Sequence, residues 1–368
     1  MAKTIRALVV DDSAVMRKLL TEILNADPEI EVVGTAEDAY MAREKIKALN
    51  PDVLTLDVEM PRMDGLVFLS NLMRLRPMPV VMCASITRRG ADLILNALDL
   101  GAVDFVAKPT ANSALGIRDA AREIVSKVKV AAAAQLRGSV APSKKMGTQN
   151  LVNGLRQLKR NVPLRPCVER IIAIGASTGG TEAIKEVLVR LPKDMPPIVI
   201  VQHIPKAFSG AFAARMDAVC EITVCEADDG QPMLPGHAYI APGDLHLQVV
   251  RGVPQYQCRL SDAYPVNRHR PSADVLFRSV AQMAGTHGIG VILTGMGRDG
   301  AAGLKEMLAA GAATIAQDEA SSVVWGMPGA AWECGAAQSL HPLTQVAEKI
   351  IALAGGAPSL LQRNTQSA

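Results

Sequence analysis

The sequence predicts two α/β domains, each built on a doubly wound parallel sheet, with an antiparallel excursion in the second. Three observations carry this. Short apolar runs alternate with amphipathic stretches over residues 1–110 and again from residue 170 onward. The 368 residues exceed the roughly 100–200 that one domain usually holds. A basic stretch punctuated by Ala, Pro and Gly lies between the two regions.

In the first region the apolar runs are IRALVV (5–10), EVVG (31–34), DVLTLD (52–57), PVVMCA (79–84) and VDFVAK (103–108). Val15, Leu19, Leu20, Ile23 and Leu24 between the first two are spaced to line one helical face. Asp27-Pro28, Asn50-Pro51 and Gly101 mark turns. A fifth helix over 113–133 carries Ile117, Ala121, Ile124 and Val128 on one stripe. These elements give a first domain over 1–125 and a basic flexible linker over 126–168. The second domain spans 169–355, and 356–368 is expected to be a disordered tail. Strands are predicted near 171–174, 198–201, 289–294 and 313–316, with helices between them. Residues 237–260 alternate apolar and polar side chains around Pro242-Gly243 and Gly252-Val253-Pro254, which predicts the antiparallel excursion.

Composition narrows the function classes. Apolar residues make up 49% and charged residues 20%, as in a soluble globular protein. With five Phe, two Trp and four Tyr, the cores must come from aliphatic side chains and Met. No apolar run approaches the ~18 residues of a membrane span, and acidic residues arrive too early for a secretory signal, so a cytoplasmic protein is expected. Six scattered cysteines suit neither a zinc site nor a disulfide framework. The net charge of +3 hides a division, because residues 121–170 alone hold 11 basic and 2 acidic side chains. Without aromatics for stacking on bases, that stretch reads as a solvated spacer and not as a nucleic-acid arm. The second domain is net negative and shows no helix-turn-helix pattern, so no nucleic-acid partner is expected.

Parallel α/β sheets bind ligands at the carboxyl ends of their strands. In the first domain these ends carry Asp11-Asp12, Asp57, Ala84-Ser85 and Lys108-Pro109. Converging carboxylates repel, and a hard divalent cation such as Mg²⁺ relieves the repulsion. Asp57 is then placed to accept a phosphoryl group as a nucleophile, with the Lys108 ammonium holding its oxygens. VVDDS (9–13), TLDVEMPRMDG (55–65) and AKP (107–109) resemble the receiver domains of two-component response regulators. The resemblance implies Asp57 as phosphoacceptor and Mg²⁺ held by Asp11, Asp12 and Asp57 with the Glu59 carbonyl. It also makes Lys108 the phosphate reader and Phe105 the aromatic switch residue. The family places a hydroxyl at the end of the fourth strand. Here that position falls on Ala84, so either an offset in strand register brings Ser85 into that place or the switch works without that bond, and Ser85 is the reading taken.

The second domain opens on IIAIGASTGG (171–180), which fits either a phosphate-binding turn or a turn presenting a nucleophile. A dinucleotide fingerprint needs G-x-G-x-x-G and an acid after the next strand. Here Ser177 replaces the tight-turn glycine, and the next strand ends on Gln202-His203. Gly175-Ala176-Ser177-Thr178-Gly179 instead matches G-x-S-x-G, whose small residues permit a strained turn with the serine exposed. His203 lies on the same sheet edge as a base, and Asp299 in the glycine-rich GVILTGMGRDG (290–300) is the orienting carboxylate. Amides near those glycines are candidates for an oxyanion hole. Each of the three side chains also has a plain structural reading, Ser177 and Asp299 as helix caps and His203 as a turn histidine. The remaining histidines, including His246 and His269, read as structural or surface residues.

IAIGASTGGTEAI (172–184), VQHIP (201–205), YIAPGDLHL (239–247), NRHRPSADVLF (267–277), ILTGMGRDGA (292–301) and VWGMPGA (324–330) together resemble the catalytic domain of chemotaxis protein-glutamate methylesterases. The resemblance implies a flavodoxin-like receiver joined to a Rossmann-like three-layer hydrolase domain. It implies that Ser177 attacks the γ-methyl ester of glutamates on methylated chemoreceptors, that His203 moves the proton and that Asp299 holds the imidazole. Backbone amides of Thr178 and Met296 would bind the oxyanion. Deamidation of receptor glutamines follows from the same chemistry, with no cofactor for hydrolysis. A chemotaxis histidine kinase is the implied phosphodonor, and phosphorylation is expected to free a site that the receiver obstructs. No membrane insertion is expected, and a monomer suffices.

Overall fold

The computed structural model describes residues 4–84, 88–108, 114–134 and 170–355. Ser85, most of the linker and the tail 356–368 lie outside the described residues. The chain divides between residues 149 and 150 into two compact units.

The first unit holds strands β1 (Ile5–Val10), β2 (Ile30–Ala36), β3 (Val53–Asp57), β4 (Val80–Ala84) and β5 (Asp104–Ala107). Helices α1 (Ala14–Asn25), α2 (Ala39–Leu49), α3 (Gly65–Leu75), α4 (Arg88–Asp99) and α5 (Ala114–Ala133) connect and follow them. Helices α1, α2 and α3 begin where a short polar side chain takes an orphan amide. Asp38 accepts from Met41 N at 2.8 Å and Asp64 from Val67 N at 2.8 Å. The strands pair in parallel in the order β2-β1-β3-β4-β5, so chain direction across the sheet reverses between β1 and β3. β3 and β4 are buried along their whole length, which explains their continuous apolar runs. Helix α5 continues to Ala133, past residue 125 where the sequence reading ends the first domain, because Val128 and Ala131 extend its buried stripe.

The second unit begins with β6 (Ile171–Ala176), α6 (Gly180–Leu188), β7 (Ile198–Gln202), α7 (Lys206–Asp217), β8 (Thr223–Glu226) and β9 (His237–Ile240). It continues through β10 (His246–Arg251), β11 (Tyr256–Ser261), α8 (Ala273–Ala284), β12 (Gly288–Ile292), α9 (Ala301–Ala309) and β13 (Ala313–Gln317). Helix α10 (Met327–Glu333), β14 (Ser339–His341) and α11 (Leu343–Gly355) complete it. Seven strands form a parallel sheet in the order β14-β13-β12-β6-β7-β9-β8, which reverses between β6 and β12. The antiparallel excursion is smaller than expected. His237–Ile240 pairs in parallel with β7 and β8, and only β10 and β11 are antiparallel, as a separate two-stranded sheet. Within β9 only His237 is partly exposed, and the other three residues are buried. The hairpin is tied to α8 by a hydrogen bond from Val249 N to the Ser279 hydroxyl at 2.9 Å. Tyr239, Phe208, Phe212 and Phe277 are the largest fully buried side chains of a core otherwise built mainly from aliphatics and Met. No described helix is long and apolar enough to cross a membrane.

Candidate functional site

Both units place their chemistry-bearing residues where strand order reverses, the usual ligand crevice of an open α/β sheet. In the second unit, Ser177 follows β6, and the loop carrying Asp299 follows β12. His203 follows β7, whose last residue Gln202 pairs with Ala176, so Ser177 and His203 leave neighbouring strands side by side. The His203 amide bonds the Ala176 carbonyl at 3.1 Å.

The turn at Ser177 is held from several sides. Its amide donates to the Thr294 carbonyl at 3.0 Å. Its carbonyl accepts from the Gly180 amide at 2.7 Å and from Gln202 Nε2 at 2.9 Å. Gly179 sits at φ 73°, a left-handed conformation that costs other residues about 1–2 kcal/mol. Gly295 must lack a side chain, because a Cβ there would meet the Met327 sulphur and come within 2.8 Å of the Ser177 Cβ. The Gly295 backbone therefore lies close against the serine. Thr178 is buried, and its carbonyl accepts from the Thr294 hydroxyl at 3.0 Å. Met296 is half-buried. Gly295 is itself braced, since its carbonyl accepts from the amides of Gly326 and Met327 at 3.1 and 2.7 Å.

Asp299 is 1% exposed and its two carboxylate oxygens accept four hydrogen bonds. Oδ2 takes His203 Nε2 at 2.9 Å and the Ala273 amide at 2.6 Å. Oδ1 takes the Ser272 hydroxyl at 2.7 Å and Asn267 Nδ2 at 2.8 Å. Ser272 precedes α8 and makes no side-chain cap to that helix, because its hydroxyl is committed to Asp299. Burial works to raise the Asp299 carboxyl, but hydrogen bonding and charge from His203, with Asn267 and Ser272, outweigh it. The carboxyl is held well below its ordinary range. Asn267 Nδ2 also reaches Asp274 Oδ2 at 2.6 Å, so one amide braces two buried carboxylates, and burial pushes that second carboxyl up.

With Nε2 on Asp299, the other ring nitrogen of His203 is not used by that carboxylate. Nδ1 is buried and has no hydrogen-bond partner among the described residues. The ring is the reverse of the serine-protease arrangement, in which Nδ1 faces the acid. A second imidazole fixes its plane, for His269 stacks on it at 3.7 Å between centroids and 9° between planes.

The sequence reading named Ser177, His203 and Asp299 but missed Asn267, Ser272 and His269. His269, read there as structural or surface, lies against the His203 ring. The three come from a loop about thirty residues from Asp299, and no periodicity links them to it. All three lie in NRHRPSADVLF (267–277), one of the motifs that carry the family resemblance, but nothing in that motif assigns them to Asp299 or His203. His246 does hold its structural reading. It is 1% exposed, with Nε2 to the Tyr264 carbonyl at 3.1 Å and Nδ1 accepting from the Ser272 amide at 3.2 Å.

In the first unit, Asp11 and Asp12 follow β1 and Asp57 ends β3. Carboxylate oxygens of the three lie within 4.8 Å of one another. Lys108 Nζ lies 2.9 Å from Asp11 Oδ2 and 2.7 Å from Asp57 Oδ2. Asp57 is 2% exposed, and burial pushes its carboxyl up to about 6 despite the Lys108 hydrogen bond. The Glu59 amide reaches Asp57 Oδ1 at 3.4 Å while its side chain is exposed. Phe105 is buried, with Lys127 Nζ 4.8 Å from its ring centroid. Ala84 ends β4, and its carbonyl accepts from the Lys108 amide at 2.8 Å. A cavity of about 440 Å³ beside the acids is lined by Asp12, Val58, Glu59, Met60 and Asp64 among others.

Residues 172–350 match the CheB methylesterase family, and residues 7–118 match the response regulator receiver domain. A protein-glutamate methylesterase/protein-glutamine glutaminase of Xanthomonas campestris is 57% identical over 353 residues, 96% of this chain and 98% of that relative. One of Hydrogenovibrio crunogenus is 53% identical over 371 residues, covering 95% and 98% respectively. The solved catalytic domain of Thermotoga maritima CheB methylesterase is 39% identical, covering 50% of this chain and 98% of that one, with a TM-score of 0.49. A receiver followed by a methylesterase domain, with relatives more than half identical along nearly their whole length, shows that the chain belongs to the protein-glutamate methylesterase/protein-glutamine glutaminase family.

Proposed function

We propose that the chain removes γ-methyl groups from glutamate esters on methylated chemoreceptors, and ammonia from receptor glutamines, through a serine acyl-enzyme that receiver phosphorylation promotes. The observation that carries the hydrolytic reading is the Asp299 carboxylate, four times hydrogen-bonded and aligned on His203 beside Ser177.

Ser177 Oγ attacks the ester carbonyl carbon and its proton passes to His203 Nδ1. Asp299 stabilises the imidazolium that forms, without itself taking the proton. The charge on the carbonyl oxygen falls to the amides of Thr178 and Met296, where one such donor contributes about 10²–10³ in rate. The carbon–oxygen bond to the methoxy group breaks, and methanol leaves with the proton from His203. Water then attacks the acyl-enzyme, giving its proton to the same nitrogen, and glutamate is released as Ser177 is reprotonated. With a glutamine substrate the leaving group is ammonia.

In the receiver, the three hard carboxylate donors suit Mg²⁺ held by Asp11, Asp12 and Asp57 with the Glu59 carbonyl. When bound, such a cation neutralises the acidic cluster and polarises an incoming phosphoryl group. The Asp57 carboxylate accepts that group from a chemotaxis histidine kinase, and the Lys108 ammonium holds its oxygens. Phe105 reports the change as the switch aromatic, with the hydroxyl role assigned to Ser85. Since its substrate glutamates belong to receptor cytoplasmic regions, the enzyme works in the cytoplasm.

The test is methanol release from methyl-esterified receptor cytoplasmic domain, with and without a small phosphodonor and Mg²⁺. Release that rises with the phosphodonor and is lost in Ser177→Ala supports both parts. Unchanged release from Ser177→Ala moves the nucleophile elsewhere, and release indifferent to the phosphodonor removes the control by the receiver.

A further inference from the structure

The loop between β11 and α8, Asp262 to Pro271, has two sets of side chains with different destinations. One set turns to the triad, with Asn267 on Asp299 and His269 stacked on His203. The other set is in solvent. Tyr264 is 92% exposed and Arg268 is exposed, as is Arg298, which directly precedes Asp299. Among the described residues, neither Arg268 nor Arg298 has an ion-pair partner. Arg270 is different, its Nη1 donating to the carbonyls of Asp262 and Ala263 at 2.6 and 3.2 Å. Asp262 is the one acid on the loop.

The loop is already rigid. Val266 and His269 exchange two backbone hydrogen bonds at 3.1 and 2.9 Å, and His246 ties the Tyr264 carbonyl to the Ser272 amide. A surface set in this way loses little conformational freedom on binding. Tyr and Arg are also the residue types that most often carry binding energy in protein interfaces.

We propose that this loop is the docking surface for the esterified protein, with Arg268, Arg298 and Tyr264 gripping an anionic segment that flanks the ester. Two unpaired guanidinium groups at the mouth of a hydrolytic site favour a substrate that brings carboxylates with it. The same loop orients Asp299 and His203, so docking and triad alignment share one element. The inference rests on the hydrolase reading above.

The experiment compares wild type, Arg268→Ala/Arg298→Ala and Tyr264→Ala on two substrates over a range of ionic strength. One substrate is methyl-esterified receptor cytoplasmic domain and the other is p-nitrophenyl acetate, small and neutral. Charge-assisted contacts of this kind correspond to roughly tenfold effects. The ratio of kcat/KM on the protein ester to that on the small ester should therefore fall about tenfold or more in the double variant, through KM. The wild-type rate on the protein ester should drop as salt rises, and the double variant should respond less steeply. An unchanged ratio with an unchanged salt response overturns the docking surface alone. A parallel loss on both substrates also overturns it, since the residues would then act on the triad. Absence of methanol release from the wild type overturns the hydrolase reading and the docking surface with it.

Discussion

At the scale of single residues, the Asp299 carboxylate is the most heavily hydrogen-bonded group of the candidate site, and the proposed mechanism assigns it the imidazole. Its folded carboxyl lies below the ordinary range, so the stability it contributes is present above about pH 4 and is lost as pH falls through the folded value. In Asn the group no longer titrates. Urea midpoints measured from pH 7 down to 2 should show a steeper acid loss in the wild type than in Asp299→Asn, the difference setting in below about pH 4. On methyl-ester hydrolysis the same variant should lose roughly 10⁴ in kcat, the size of effect seen when a triad acid is neutralised. Ser177→Ala should lose 10³-fold or more, read as methanol release. Ser177, His203 and Asp299 were legible in the sequence because each follows an apolar strand in a short glycine-bearing or turn motif. The bonds that make Asp299 effective were not. Ser272 and Asn267 reach it across a tertiary contact, and His269 meets His203 face to face, none of which leaves a spacing to detect.

At the scale of elements, close backbone approach governs the β12–α9 loop. A methyl group at Gly295 has the Met327 sulphur on one side and the Ser177 Cβ 2.8 Å away on the other. Gly295→Ala should therefore cost about 1–3 kcal/mol in stability, measured by denaturant midpoint, and lower kcat on the protein ester more than it changes KM. Most strands were readable from their apolar runs, since parallel strands buried on both faces have little polar interruption. β9 was misplaced for the opposite reason. His237 and its neighbours alternate like a hairpin strand, although Ala238 pairs in parallel with Ile198. Local pattern cannot tell which neighbour a strand will take. The apolar stripe predicts a fifth helix over 113–133, and α5 spans Ala114–Ala133, running past the expected domain end at 125.

At the scale of the whole molecule, two sheets carry two chemistries, each at its own reversal of strand order. If phosphorylation of Asp57 controls the hydrolase, Asp57→Asn should abolish the rise in methanol release that a small phosphodonor produces. A chelator that strips Mg²⁺ should remove the same rise from the wild type. Both are read by comparing release with and without phosphodonor, and persistence of the rise in Asp57→Asn would place the acceptor elsewhere.

Every described hydrogen bond to Asp299 comes from within the second unit, and the turn at Ser177 is braced there too. The carboxylate and the serine turn are therefore held by that unit's own residues. What is left open is the outer nitrogen of His203, which has no partner among the described residues and is where a bound substrate or Ser177 itself would complete the chain of hydrogen bonds.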